Sequence, residues 1–484
     1  MKMPSVFPVA SHTDNVGPGS TFVAIRGLNF DGHNYINVAI KNGATTIVVE
    51  DSKVSLDTTF ALLKPLGMNQ IHSVSKKINF TCSSRVATES GYIEGSNKKE
   101  ITIIKVKNTR KYLAQLSAQA AGNPAKKLKL LGVTGTKGKT TSIYTMHYLL
   151  KQVGYKVALL STIKNSILDE DIPATMTTAQ PDYLHQFFKL CIEADVEYVL
   201  MELAAQATTF HRLETLEFDG LIFTNLDREH AELYPSMQSY FAAKAAIFDY
   251  AKQDCVMISN VDDEYGKKLV ESHKQVVQLS VKDWKEGQIC IEEQVFTYSH
   301  LPGKFNAYNL KGVLLLLIKL GIKIDSNIGA LPAIPGRLQK VDLPNGAHAY
   351  IDYAHTPGSF KSLFSTVRTW TNNLIIVFGA GGSKDHQKRA LMGAIAEQFA
   401  DTLILTDDNP RTEDPKNIIK NILVGITNQN KIIVEHDRQK AIEHAYSISK
   451  KDSIILLLGK GPDEYQIIGT KKIPFSEKGI LESL

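Results

Sequence analysis

One segment constrains this chain more than any other: Leu130-Leu-Gly-Val-Thr-Gly-Thr-Lys-Gly-Lys-Thr-Thr141. An apolar run (129–133) leads into it and a stretch with helical spacing (141–153) leads out. In that context, backbone N–H groups and a helix N-terminus can hold phosphate. Gly135 and Gly138 let the backbone turn toward phosphate oxygens, and Thr136, Lys137 and Thr141 complete the loop. Lys139 can reach the β- and γ-phosphates, and the Thr140 hydroxyl can ligate Mg²⁺. Val133 stands where the strict phosphate-loop pattern has its first glycine. The competing reading is a glycine turn that merely packs a helix on a sheet. Strand, turn, Gly-Lys-Thr-Thr and helix together disfavour it.

A phosphate loop of this kind belongs to a parallel α/β sheet, and 484 residues predict about three domains. Residues 1–125 read as a small α/β domain, with β-rich runs at 21–25 and 45–49 around a helix at 34–42. The pattern weakens over 54–99, and 94–100 reads as a solvated loop. A helix at 110–121 and the punctuation of 122–127 end this part. Residues 126–330 read as a P-loop ATPase-like domain, with buried strands at 129–133, 197–203 and 221–225 and a helix at 309–320. After a linker at 331–336, strands at 347–353, 373–378, 402–406, 431–434 and 453–458 alternate with helical stretches. That rhythm predicts a Rossmann-like, doubly wound domain over 331–484.

Composition serves mainly to exclude. Lys and Arg number 55 against 50 Asp and Glu, and a net charge of +5 is too thin to imply nucleic acid or anionic membrane. Cys82, Cys191, Cys255 and Cys290 are scattered, without a C-x-x-C pair, as expected of free thiols in a reducing cytosol. Residues 1–12 lack the apolar core of a secretory signal, and the apolar run 313–320 is too short to span a bilayer. The expectation is a cytoplasmic monomer without membrane insertion.

Ligands for the metal should lie at the C-terminal ends of neighbouring strands. Glu202 ends one such run, and His230 follows another. A lone histidine after a strand is more often a hydrogen-bonded structural residue than a ligand. Lys244 sits in the apolar helical stretch 240–248. It is either a snorkelling surface lysine or a modified one, an N6-carboxylysine whose carbamate would help hold magnesium.

Taken together, Thr134-Gly-Thr-Lys-Gly-Lys-Thr-Thr141, Met201-Glu202, Phe223-Thr-Asn-Leu226, Tyr240-Phe-Ala-Ala-Lys-Ala245, Gly303-Lys-Phe-Asn306, Pro335-Gly-Arg337 and Asp352-Tyr-Ala-His-Thr-Pro357 resemble the ATP-dependent Mur ligase family, motif by motif and in order. The resemblance runs from about Pro18 to the end and is strongest to the branch that adds diaminopimelate to a UDP-muramoyl dipeptide. It implies that Lys139 and Thr140 bind ATP phosphates and Mg²⁺, with Glu202 and His230 as metal ligands. It places Lys244 at the carbamylated lysine, Asn306 at the adenine end, and Arg337 and Asp352 on ATP from the third domain; His355 lies in the same motif. The implied chemistry is activation of a carboxylate as an acyl phosphate, followed by attack of an amine.

The same resemblance assigns the substrate ends. Asp408-Asn409-Pro-Arg411 at a strand end accompanies diaminopimelate, whose distal carboxylate suits the planar fork of Arg411. Thr177, Thr178 and Arg212 match contacts to the muramoyl peptide, and Thr13 stands near the uridine end, where His12-Thr-Asp14 replaces the usual Asp-Ser-Arg. Other departures are Ala204-Ala-Gln206 for Ser-Ser-His, Phe210 for a polar residue, Lys384 for an arginine, and Gly459-Lys-Gly-Pro-Asp463 for Gly-Lys-Gly-His-Glu. The phosphate and metal positions are kept while both substrate ends have drifted, which favours an active ligase. Two alternatives are a superfamily ligase using lysine or a folate-like polyglutamate, and a non-catalytic nucleotide-binding partner of cell-wall enzymes.

Overall fold

Runs of β-branched residues and helical spacing resolve, in the computed structural model, into a mixed α/β chain with largely parallel sheets. The structure describes residues 2–28, 30–50, 68–74, 77–88, 91–229, 232–273, 275–383 and 385–484, with backbone only over 68–100. Two compact units emerge, each assembled from separate stretches of chain. One comprises Met1–Thr134, Leu150–Leu221 and Phe241–Met257; the other comprises Gly135–Leu149, Ile222–Tyr240 and Ile258–Leu484.

In the first unit, a six-stranded sheet has the order Val9–Ala10, Thr21–Val23, Thr46–Glu50, Gly91–Val106, Lys77–Thr88, Met68–Val74. The first four strands pair in parallel and the last two antiparallel. Phe22, Ile47, Ile101 and Ile103 form its core with Ile36 and Ala39. The expected loop at 94–100 is instead part of the strand Gly91–Val106. Its register passes from Ser84↔Gly95 to Cys82↔Lys99, so the Gly-Ser-Asn punctuation marks a bulge inside a ladder, not an interruption of it. Asn108 Oδ1 accepts the N–H groups of Arg110 and Lys111 and caps the helix Thr109–Ala120.

The unit also holds strands in the order Glu170–Pro173, Lys164–Ile167, Val157–Leu160, Tyr198–Leu203, Lys129–Thr134. Tyr198–Leu203 is buried at every position, as a parallel strand covered on both faces must be. Its register sets Glu202 beside Val133 and Leu203 beside Thr134, at the end that feeds the glycine-rich turn.

The second unit contains the six-stranded sheet Gln339–Asp342, His348–Asp352, Ile454–Leu458, Leu374–Phe378, Thr402–Leu405, Ile432–Val434, all parallel after its first, antiparallel strand. Alternate residues serve opposite faces. Ile376, Phe378 and Leu456 pack with Phe360, Leu363, Met392 and Ile422, while Ile375, Val377 and Leu457 pack with Ala441, Ile442 and Leu481. This two-faced burial is the doubly wound arrangement expected from the strand rhythm. The helix Lys304–Lys319 buries most of its length, including Val313–Leu317. Among the described residues no helix is long and apolar enough to cross a membrane.

Candidate active site

The strand Lys129–Thr134 delivers the glycine-rich turn to the helix Lys139–Gln152. Gly135 and Gly138 take φ of 141° and 85°, which suit glycine alone. A β-carbon would lie 2.0 Å from Thr224 Oγ1 at Gly135, and 2.2 Å from Asn309 Oδ1 at Gly138. The segment after Phe218–Phe223 clamps the turn. Thr136 N–H donates to the Asn225 carbonyl (2.9 Å), and Lys137 N–H to Asn225 Oδ1 (3.0 Å). The Thr224 hydroxyl donates to the Lys137 carbonyl (2.6 Å). Lys139 Nζ rests on the carbonyls of Gly135 and Thr136, both at 2.9 Å. Thr136, Thr140 and Thr141 are buried.

Residues far along the chain converge on this loop within the same unit. Arg337 donates from Nη2 to Thr140 Oγ1 (3.0 Å) and lies over the Tyr353 ring, 5.0 Å from its centroid. Asp352 ends a strand and accepts the N–H groups of Leu338 (2.7 Å) and Ala354 (2.8 Å). Burial pushes its carboxyl up, opposed by Arg337. His355 bridges the Tyr353 carbonyl (2.7 Å) and Glu229 Oε1 (3.3 Å). Asn306 is buried, donates to the Pro302 carbonyl (2.8 Å) and accepts from Asn309 (3.2 Å), the residue that crowds Gly138. An indirect contact thus joins Asn306 to the phosphate loop.

In the other unit, Glu202 is 1% exposed, and its two oxygens accept the Thr162 N–H (3.0 Å) and hydroxyl (3.1 Å). The Thr177 hydroxyl lies 3.1 Å from the same Thr162 oxygen. Thr178 donates to the Glu202 carbonyl (2.8 Å), and Arg212 donates to the Thr178 carbonyl (2.5 Å). Phe210 has a clear role that its sequence context did not announce. Two guanidinium groups lie over its ring, Arg110 at 4.5 Å and Arg212 at 5.5 Å from the centroid. Thr13 lies in the short 3-10 turn Thr13–Asn15, where its carbonyl accepts from Asn42 Nδ2 (2.9 Å). Lys244 is 1% exposed, which removes the reading of a snorkelling surface lysine.

The third cluster forms where Leu374–Phe378, Thr402–Leu405 and Ile454–Leu458 end side by side. The loops touch: a β-carbon at Gly382 would lie 1.8 Å from the Pro410 carbonyl oxygen, and at Gly459 3.1 Å from Asp408 Oδ2. Arg411, at φ 54°, donates from Nη1 to the Gly382 carbonyl (3.0 Å). Lys460, fully buried, was not singled out in the sequence, although it sits in Gly459-Lys-Gly461 directly after a buried strand. Its ammonium lies 3.5 Å from Asp408 Oδ1 and 3.2 Å from Asn409 Oδ1. Burial pushes its pKa down, and Asp408 opposes this. Burial likewise pushes Asp463 up against Lys460. A buried Arg389, paired with Glu413, also escaped notice.

His230 and Lys384 lie outside the described residues. Among the described residues no group of three or more His, Cys, Asp and Glu side chains is placed to hold a metal. Thr140 presents a hydroxyl oxygen in one unit, and Glu202 presents carboxylate oxygens in the other.

Models of the Mur ligase family match the chain in three successive stretches. They are the catalytic domain (residues 11–121), the middle domain (133–317) and the glutamate ligase domain (336–461). The UDP-N-acetylmuramoyl-L-alanyl-D-glutamate–2,6-diaminopimelate ligase of Clostridium tetani is 34% identical over 97% of this chain and 93% of its own length. The Aquifex aeolicus protein of the same name is 32% identical over 98% and 93%. A solved structure of a ligase of that name superposes with a TM-score of 0.60 at 22% identity, covering 99% of this chain and 94% of that one. The MurF ligase from Thermotoga maritima in complex with ADP gives 0.61 at 18%, covering 95% of each. At those identities the superpositions speak for the fold alone. The kinship rests on the matched stretches and the full-length relatives: the chain belongs to the Mur ligase family of ATP-dependent amide-bond ligases.

Proposed function

We propose that this ligase joins meso-2,6-diaminopimelate to the D-Glu γ-carboxylate of UDP-N-acetylmuramoyl-L-alanyl-D-glutamate in peptidoglycan precursor synthesis, as a cytoplasmic monomer. The observation that carries the reading is the loop Asp408-Asn409-Pro-Arg411, set among the ends of three parallel strands in a chain whose full-length relatives bear that enzyme's name. Three domains, 1–125, 126–330 and 331–484, would take the uridine end, ATP and the incoming amino acid.

In this mechanism the γ-phosphoryl group of ATP passes to the D-Glu carboxylate, giving an acyl phosphate and ADP. The amine then attacks the acyl carbon and phosphate leaves. The loop Gly135–Thr141 holds the phosphates, and Lys139 and Arg337 neutralise the charge that builds on the transferred group. Asn306 and Asp352 serve the nucleotide. Thr140, Glu202 and His230 would hold Mg²⁺, and a carbamate on the buried Lys244 would help. The hydroxyl and carboxylate oxygens suit that hard cation, which supplies charge neutralisation at the phosphates. Thr13, Thr177, Thr178 and Arg212 serve the acceptor. Lys384, Asp408, Asn409, Arg411, Gly459 and Asp463 serve diaminopimelate. Lys384 keeps a charge without an arginine's fork, and Asp463 is one methylene shorter than the family's glutamate.

The test compares ADP release with diaminopimelate and with lysine. Turnover should depend on diaminopimelate, and Arg411→Ala should raise its KM about tenfold or more, the loss of a charge-assisted hydrogen bond. Turnover with lysine in preference would overturn the assignment.

A further inference from the structure

Three consecutive residues downstream of the strand Phe218–Phe223 each meet the C-terminal part of the chain, inside one compact unit. Arg228 Nη2 lies 3.4 Å from Gln387 Oε1, and Glu229 Oε1 lies 3.3 Å from His355 Nε2. The third, Asp227, faces Gly358 in the first turn of the helix Pro357–Val367. The approach leaves no room for a side chain, since a β-carbon on Gly358 would lie 2.2 Å from Asp227 Oδ2 and 2.8 Å from Lys137 Nζ. Gly358 is not in the left-handed region, and glycine is a poorer helix former than alanine. What the position uses is space.

Asp227 is held from its other sides. Its Oδ2 pairs with Lys137 Nζ, and its Oδ1 accepts the Arg228 N–H (2.8 Å). Its own N–H donates to Thr136 Oγ1 (3.0 Å), whose hydroxyl donates back to the Asp227 carbonyl (3.2 Å). The helix start is fixed as well, by a capping box between Thr356 and Ser359. A carboxylate at a helix N-terminus is electrostatically favourable there.

We propose that the Lys137–Asp227 pair is a positioning latch. It seats the helix Pro357–Val367 against the phosphate loop, with Gly358 as the gap that admits it. Lys137 belongs to the loop that carries Lys139 and Thr140, so the latch adds an ion pair to the direct contact of Arg337 with Thr140. The backbone of Lys137 serves the loop and its side chain serves the latch. The proposal uses the ATP-dependent ligation above for one of its three readouts only.

The full chain is compared as wild type, Gly358→Ala and Asp227→Ala. In Gly358→Ala the added methyl displaces either the helix or the Asp227 carboxylate. Small-angle scattering should show a larger radius of gyration, and kcat should fall about tenfold. The thermal midpoint should hold or rise, because alanine favours the helix; a mere folding defect would lower it. Asp227→Ala removes the pair itself and should likewise enlarge the radius and lower kcat. An unchanged radius and kcat in Gly358→Ala or in Asp227→Ala overturns the latch. Scattering needs neither acceptor nor amine. A wrong choice of amine would show as a wild type without turnover and leave the scattering contrast intact.

Discussion

Glu413 shows how one carboxylate can hold a loop. Its oxygens take Arg389 Nη1 at 2.6 Å and Nη2 at 2.8 Å, and Oε2 also accepts the Ser383 N–H at 2.9 Å. Arg389 beside it brings the Glu413 carboxyl from the ordinary 4.5 down to about 2. A depressed carboxylate contributes stability above its unfolded pKa and loses it as pH falls through the folded one. Glu413→Gln should therefore cost about 3 kcal/mol at neutral pH, by stranding a buried guanidinium. In parallel urea titrations, that gap should shrink between pH 4.5 and about 2; a gap constant over this range would refute the pairing. Such buried ions are where sequence reading falls short. Lys460 and Arg389 look like any basic residue in a turn or on a helix, and only the folded neighbours Asp408, Asn409 and Glu413 give them a purpose. Phe210 is similar, since the arginine that completes its stack stands a hundred residues earlier. The place of Arg411 after a strand, by contrast, was legible, because the strand and turn signals around it are local.

Elements read more easily than residues when their signal is local. The strand, turn and helix of the phosphate loop could be placed from spacing, and so could the five parallel strands of the C-terminal sheet. The strand through Gly91–Val106 could not, because its bulge is written in turn residues. The three short strands Gln288–Ile291, Gln294–Ser299 and Asn327–Ala330 carry little pattern in four to six residues each. The phosphate loop also makes a sharp prediction at this scale. Gly138 combines a φ of 85° with an Asn309 side chain that is itself buried and bonded to Asn306. Gly138→Ala should destabilise the protein by about 1–3 kcal/mol. It should also raise the KM for ATP at least about tenfold, since the loop must open to admit the methyl. Wild-type nucleotide binding in that variant would mean the loop does not hold phosphate.

Across the whole molecule, distant stretches of chain are joined by a few buried polar contacts. In the first unit, Asp182 Oδ2 accepts both the N–H and the hydroxyl of Ser11, each at 2.7 Å, across 171 positions of sequence. Burial pushes that carboxyl up. Asp182→Ala should lower stability by about 1–3 kcal/mol in thermal or urea unfolding. It should also raise the acceptor KM more than the ATP KM, because Ser11 anchors the turn that bears Thr13. Equal effects on both would detach Ser11 from the acceptor end.

The assembly of both units from separate stretches has a consequence for birth on the ribosome. The first unit needs residues up to Met257, while the helix that follows the phosphate loop waits for a partner segment beginning at Ile258. At about 5–20 residues per second, a nascent chain spends about 4–17 seconds with its glycine-rich turn synthesised and its Asn225 clamp still unmade. Release of a chain truncated before residue 257 leaves both units incomplete at once. A chain that reaches Met257 holds every stretch of the first unit, so quality control should meet a complete first unit only in chains released beyond that point.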